Sequence, residues 1–180
     1  QSRSSAASDV YKRQTLFWNR IEDAIVNVTI GEGPGTFPRA GFVPAGGVLR
    51  QRQNAGAIGA TGIELTARRS LGGRLTLDGA VSITDARMDG GSAAPQLTGL
   101  RPAQAPIWSA TAGLDWRASD RLNLAVQARY ESKRFEDDLN SRVLGAAVAV
   151  DARAEWRMTP AAVVWACLLY TSPSPRDQRG

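Results

Sequence analysis

The chain has 180 residues, with 22 Lys and Arg, 17 Asp and Glu and no His, for a formal charge of +5. One cysteine and no histidine leave neither a disulfide framework nor Cys/His metal-ligand spacing. The length suits one domain, not necessarily a whole one.

Two segments stand apart from the rest. Asp9-Val10-Tyr11-Lys12-Arg13-Gln14 can be encoded GAT GTG TAT AAG AGA CAG. The reverse complement of that DNA, read one base out of frame, translates to Cys-Leu-Leu-Tyr-Thr-Ser, which is Cys167 to Ser172. The DNA resembles the transposase end used to prepare sequencing libraries, and Ser4 to Ser8 and Pro173 to Asp177 resemble the adaptor that continues it. Residues 1–14 and 167–180 are therefore expected to be foreign and to add nothing ordered to the fold. The head holds three basic residues and one acid, the tail two and one. Residues 15–166 are left with 17 basic and 15 acidic side chains, a net +2, which gives no reason to expect a nucleic-acid partner. The cysteine falls in the excluded tail.

In chain order, residues 15–30 are expected as a first strand, with Leu16, Trp18, Ala24, Val26, Val28 and Ile30 on one parity. Phe17, Ile21 and Ile25 break the pattern. Residues 31–53, rich in Gly and Pro, read as a long loop. Gly31 to Gly35 is no phosphate loop, since the Lys-Ser/Thr ending is missing and Pro34 removes a donor. Residues 54–69 form the next strand, and Leu71-Gly72-Gly73-Arg74 a tight turn. A strand then starts at Leu75, with Leu77, Val81 and Ile83 on its apolar parity. Residues 88–105 form a second polar loop.

The clearest signal follows. Trp108, Ala110, Ala112, Leu114 and Trp116 alternate with Ser109, Thr111, Gly113, Asp115 and Arg117. After Ala118-Ser119-Asp120, Leu122, Leu124, Val126, Ala128 and Tyr130 alternate with Asn123, Gln127, Arg129 and Glu131. This is a long antiparallel hairpin with one apolar and one wet face. Residues 135–145 form a third loop. Residues 146–158 form another alternating strand, Thr159-Pro160 turns the chain, and residues 161–166 begin one more strand.

Short connections near Gly72, Ser119 and Pro160 alternate strictly with long ones at 31–53, 88–105 and 135–145. All the long loops are thus placed at one end of the sheet. Transmembrane β-barrels show this asymmetry, with short periplasmic turns and long extracellular loops. Their strands need about ten tilted residues to cross the hydrocarbon layer. The expected fold is all-β: an antiparallel up-and-down meander forming part of a transmembrane barrel, six strands and part of a seventh. Apolar residues such as Val126, Val148 and Val150 should meet lipid, while Gln127, Arg129, Asp151 and Arg153 should line the lumen. Arg129, Glu131, Asp151, Arg153 and Glu155 should form cross-strand charge pairs. Trp108, Trp116 and Trp156 sit where interfacial aromatic girdles form. Two other architectures share the alternation: a smaller outer-membrane barrel, such as a porin or adhesin translocator, and a soluble β-sandwich binding module.

Several segments carry a family resemblance. Leu16 to Ile25 resembles a barrel strand of the TonB-dependent outer-membrane receptors, and Ala60 to Ala67 is close to their Gly-Val/Ile-Glu-Leu-Glu pattern. Ser82 to Arg87 looks like their Tyr-Thr-Asp-Ala strand end, and Arg101 to Pro106 like their Arg-x-Pro-x-x-Pro. Arg134 to Asn140 and Asp151 to Ala154 also fit. The resemblance covers nearly all of residues 15–166. It implies a fragment from the C-terminal part of a barrel of about 22 strands. Its implied partners are outer-membrane lipid, a plug domain, the remaining strands, and the TonB complex reached through an N-terminal region.

The implied activity is uptake of a scarce small molecule, such as an iron–siderophore or a cobalamin, with no cofactor. Nothing in residues 15–166 suggests catalysis: they hold no His, no Cys and no Gly-x-Ser-x-Gly elbow. Phe37, Arg39, Phe42 and Arg101, in the long loops, are the ligand-contact candidates. Glu136-Asp137-Asp138 reads as a solvated acidic corner, not a cation site.

Overall fold

A computed structural model describes residues 10–54 and 56–172. Its strands, in chain order, are β1 (Val10–Glu22), β2 (Ile25–Glu32), β3 (Gly35–Phe37), β4 (Gly41–Val43), β5 (Val48–Asn54), β6 (Ala57–Leu71) and β7 (Leu75–Asp89). After a 3₁₀ turn at Pro95–Leu97 come β8 (Trp108–Arg117), β9 (Leu122–Glu131), β10 (Arg134–Phe135), β11 (Val143–Leu144), β12 (Ala147–Thr159) and β13 (Ala162–Thr171). Seven of them form one sheet in the order β1-β6-β7-β8-β9-β12-β13, every pair antiparallel. It is the expected meander.

Period-two patterning and register act together. β6 and β7 pair without a shift from Ala57 opposite Asp89 to Leu71 opposite Leu75. Gly72 and Gly73 close the turn at φ of 61° and 69°, which L side chains resist. Because the register holds across the sheet, apolar residues line up in cross-strand rows. One row is Leu65, Val81, Ala110, Tyr130 and Val148. The next is Ala67, Gly79, Ala112, Ala128 and Val150, then Leu77, Leu114, Val126 and Ala152. Trp108 borders this band at the long-connection end, its ring 5.0 Å from that of Tyr130. Trp116 and Trp156 border it at the short-turn end. Trp108 to Trp116 spans roughly 20 Å along the membrane normal at the usual strand rise and tilt, close to the about 25 Å apolar band of such barrels.

The opposite parity is polar. Arg129 meets Asp151 across the β9–β12 pair at 3.0 Å, Glu131 bonds Arg134 at 2.7 Å, and Arg153 bonds Glu155 along its own strand. Val126, Val148 and Val150 thus share one face and Gln127, Arg129 and Asp151 the other. Gly62 lies where a Cβ would strike the Phe17 ring, so Phe17 covers a sheet position that has no side chain.

Among the described residues no second layer covers the apolar face. Leu65, Ile83, Trp108, Trp116, Val126 and Trp156 are all exposed in the isolated chain. A β-sandwich would bury that face under a second sheet. The buried cluster of Val28, Met88, Ala94 and Leu97 sits instead among the long connections.

Three expectations need correction. First, residues 15–30 are not one strand. β1 ends at Glu22, Asp23 takes φ of 54°, and β2 leaves the sheet to pair with β5. Asn54 donates to the Asp23 carboxylate at 2.9 Å and Ala24 N–H donates to Gly56 O at 3.2 Å, fixing the departure point. Second, residues 31–53 are no open loop, but a ribbon of β2 with β5 carrying a β3–β4 hairpin at its tip. Third, Val10 to Gln14 continue β1 against Leu65 to Arg69, and Cys167 to Thr171 continue β13 against Ala149 to Arg153. Both stretches contain residues that suit an extended backbone, and a ladder once in register extends along any such sequence. Residues 1–9 and 173–180 lie outside the described residues.

The face assignment predicts unequal costs for a charge. In the full-length protein, Ala112→Arg, mid-band on the apolar face, should lower barrel stability by about 2–4 kcal/mol in denaturant titrations from lipid vesicles, and Gln127→Arg by about 1 kcal/mol at most. Equal losses would place the sheet in the wrong register.

Candidate functional site

The long connections share one end and pack together. Val28 from the ribbon joins Met88 at the end of β7 and Ala94 and Leu97 from the 88–105 connection, with Val26, Ile58, Leu100 and Leu139 against them. Met88 and Ile58 face each other on the parity that is polar further down the sheet. The wet face therefore turns apolar where the connections cover it. Met88 N–H donates to Leu100 O at 2.9 Å, and Gly99 N–H donates to Met88 O at 2.8 Å.

A polar network completes this cap. Asp138 is 5% exposed; its Oδ2 accepts from Thr29 N–H at 2.6 Å and its Oδ1 from the Thr29 hydroxyl at 2.7 Å. Asp137, equally buried, accepts from Arg142 N–H at 2.7 Å, the Ser141 hydroxyl at 2.8 Å and Ser141 N–H at 3.1 Å. Burial pushes the Asp137 carboxyl up, but these donors outweigh it and hold the group below the usual carboxylate range. Asn140, at φ of 57°, accepts from Arg101 N–H and donates to Arg101 O, both at 2.9 Å. The Arg142 guanidinium reaches Gly46 O at 3.3 Å, tying this corner to the ribbon. Asp137 and Asp138 are thus not a solvated corner. Each spends its lone pairs on donors from its own or a distant segment, a pattern that no local sequence signal carries.

Between the ribbon and the other connections lies a cleft of about 460 Å³. One wall is the ribbon, with Ile25, Asn27, Arg50 and Arg52. The floor is Ile58 and Met88, and the far wall runs from Pro102 to Gln104 and from Glu136 to Asp138. Arg50 and Arg52 share a strand parity and are exposed. Among the described residues neither guanidinium has a hydrogen bond or an ion pair. Two planar donor forks stand open on one wall, while Asp137 and Asp138 opposite are occupied by neutral donors. No group of acids or Cys among the described residues could hold a metal ion.

The four candidate residues separate. Phe37, Arg39 and Phe42 lie together on the β3–β4 hairpin. Phe37 packs its ring on the Gly31 backbone, Arg39 sits at the tip at φ of 67°, and Phe42 is 68% exposed. Arg101 stands elsewhere. Its side chain is 18% exposed and bonds Asp85 at 2.7 Å, which makes it a strut between connection and barrel. Arg50 and Arg52 escaped the sequence reading because they fell in a stretch read as structureless. Val26, Val28 and Ile30, continuing the alternation beyond Asp23, were the signal for a ribbon there.

The family model for the TonB dependent receptor-like β-barrel matches residues 15–166. No curated protein matches the chain. Among solved structures, the siderophore receptor PiuA of Acinetobacter baumannii matches 87% of this chain and 21% of its own at 15% identity, with a TM-score of 0.62. The ferric yersiniabactin uptake receptor FyuA of Yersinia pestis matches 89% and 26% at 14% identity, TM-score 0.61. The FrpB iron transporter of Neisseria meningitidis, F3-3 variant, matches 82% and 21% at 26% identity, TM-score 0.52. The chain spans about a fifth to a quarter of the length of the solved receptors it matches.

The Asp137 donors set a pH dependence for the cap. A carboxyl held low in the folded state stabilises it above the unfolded value, near 3.9, and loses that contribution as pH falls through the folded value. Protection factors for hydrogen exchange at residues 137–142 in the full-length protein, corrected for the intrinsic rate at each pH, should therefore fall below about pH 4. Asp137→Asn should show fast exchange already at neutral pH, having lost charge-assisted bonds worth about 1.5–3 kcal/mol each. Slow exchange in that variant would remove Asp137 from the account.

Proposed function

Since the chain belongs to the TonB-dependent receptor β-barrel family, a family of transport receptors and not of enzymes, we propose that it is part of a protein that captures an iron chelate at the cell surface and imports it with energy from the TonB system. The protein resides in the outer membrane. The reading is supported by the three solved receptors, whose names all concern siderophores or iron. It is carried by the cleft at the long-connection end, which has two unpaired guanidiniums on one wall and an apolar floor. Arginine forks bind planar carboxylate or catecholate oxygens, and the apolar floor suits the ligand's rings or chains. Phe37, Arg39 and Phe42 at the ribbon tip form the outer contact surface, while Arg101 acts by holding the cap together. Import requires the plug, the remaining strands and the TonB complex as partners. Residues 1–14 and 167–180 we read as foreign, on their reverse-complement relation; untreated source DNA coding both stretches would remove that reading.

Whole-cell uptake tests the proposal in the full-length receptor, with an anionic ferric tris-catecholate and a neutral ferric trihydroxamate as probes. Arg50→Ala with Arg52→Ala should raise the half-saturating concentration of the anionic chelate at least tenfold, as lost charge-assisted bonds of about 1.5–3 kcal/mol imply, and leave barrel heat resistance unchanged. Deleting residues 36–43 should weaken uptake without unfolding the barrel, because the hairpin pairs only with itself. A tag at Gly72 cleaved from outside whole cells, with one at Gly35 protected, would invert the topology and end the proposal.

A further inference from the structure

We propose that Asp138 is a positioning residue for ligand capture: by holding Thr29, it sets Arg50, and Arg52 beside it, on the wall of the cleft. The inference rests on the capture reading above. Thr29 lies directly opposite Arg50 in the ribbon, and Asn27 opposite Arg52. The ribbon is two-stranded and outside the main sheet, so its own pairing is marginal and its orientation depends on outside contacts.

Besides Val26 against the apolar cluster and the Arg142 guanidinium on Gly46 O, two contacts supply it. Val28, 1% exposed, sits in the cap's core, which fixes depth but little direction. At the next residue, Asp138 spends both oxygens on Thr29, 109 positions away in the chain. Hydrogen bonds of that geometry fix direction. The clamp also sits at the weak point of the ribbon's register, since the β2–β5 pairing shifts between Thr29 and Gly31. A shift there leaves the backbone locally unpaired, and a slip would carry Arg50 off the cleft wall. Asp138 is itself held in place, with Asp137 bonded to Ser141 and Arg142 and Asn140 to Arg101.

The test uses the full-length receptor with Thr29→Val, Thr29→Ser, Asp138→Asn and the Arg50→Ala, Arg52→Ala pair. Spin labels at Ala45 on the ribbon and Ser119 at the opposite end of the barrel report the ribbon's position. Thr29→Val and Asp138→Asn should broaden or shift that distance, while Thr29→Ser, which keeps the hydroxyl, should match the parent. The second readout is the half-saturating concentration of the anionic ferric tris-catecholate. Asp138→Asn should raise it about tenfold, but added to the Arg50→Ala, Arg52→Ala pair it should make that pair no worse, because a residue acting through the two guanidiniums then has nothing further to lose. Fully additive losses, or an unshifted distance in both Thr29→Val and Asp138→Asn, would overturn the inference. If the parent binds neither chelate, the transport reading falls, and the distance alone decides whether Asp138 holds the ribbon.

Discussion

Backbone pairing in hydrocarbon governs this molecule. Lipid offers no hydrogen bonds, so each N–H and C=O in the band must find its partner on a neighbouring strand. That demand explains why the register runs unshifted through β6, β7, β8 and β9 and slips in the main sheet only between Arg157 and Thr159, beside the last short turn. An unshifted register in turn forces side chains into rows. Once one strand presents Val and Leu outward, every neighbour must do the same or place a polar group in lipid. The small residues of the middle row, Ala67, Gly79, Ala112 and Ala128, follow from the same logic. Facing lipid, they need not fill a core, so size is unconstrained where polarity is not.

Beyond the Trp108 row the rules change. Water can satisfy backbone groups there, so the chain is free to leave the sheet, and it does so at Asp23. Regularity gives way to packing. The cap holds the buried hydrophobic cluster and the buried carboxylates together because each needs the other. Val28, Met88, Ala94 and Leu97 exclude water, and exclusion would penalise Asp137 and Asp138 heavily were their oxygens not met by donors. Asp137 shows the balance directly: burial pushes its carboxyl up, and hydrogen bonds from Arg142, Ser141 and its own backbone overcome that push.

What could be read from sequence follows the same division. Within the band, structure is local and periodic, so Trp108 to Glu131 announces a hairpin and the Gly72, Ser119 and Pro160 turns announce its relatives. The up-and-down order was legible because consecutive strands pair. In the cap, structure is neither periodic nor local. Gly31, Gly33, Pro34 and Gly35 signal turns, but the partner strand Val48–Asn54 carries Arg50, Gln51, Arg52 and Gln53 in succession, which conceals alternation. Asp138 looks like a surface acid from its neighbours alone, and only Thr29, far away in sequence, makes it a clamp. Arg101 was legible as a residue of the functional end but not as a strut, since Asp85 belongs to a different strand.

The separation of these two regimes matters for how a receptor of this kind acquires a ligand. Changing a cap residue such as Arg50 or Phe42 alters no ladder bond in the membrane, and changing a row residue such as Ala112 touches no cleft wall. The ribbon extends this independence, because β2 and β5 pair with each other and not with β1 or β6. Its orientation hangs on Val26 and Val28 at the apolar cluster, on Gly46 held by Arg142, and on Thr29 in the grip of Asp138. Burial alone would leave the ribbon free to pivot about its core contact, and hydrogen bonds alone would leave it hydrated and loose. Adjacent residues that supply one of each turn a marginal two-stranded element into a fixed wall, and that wall carries the two open guanidiniums of the cleft.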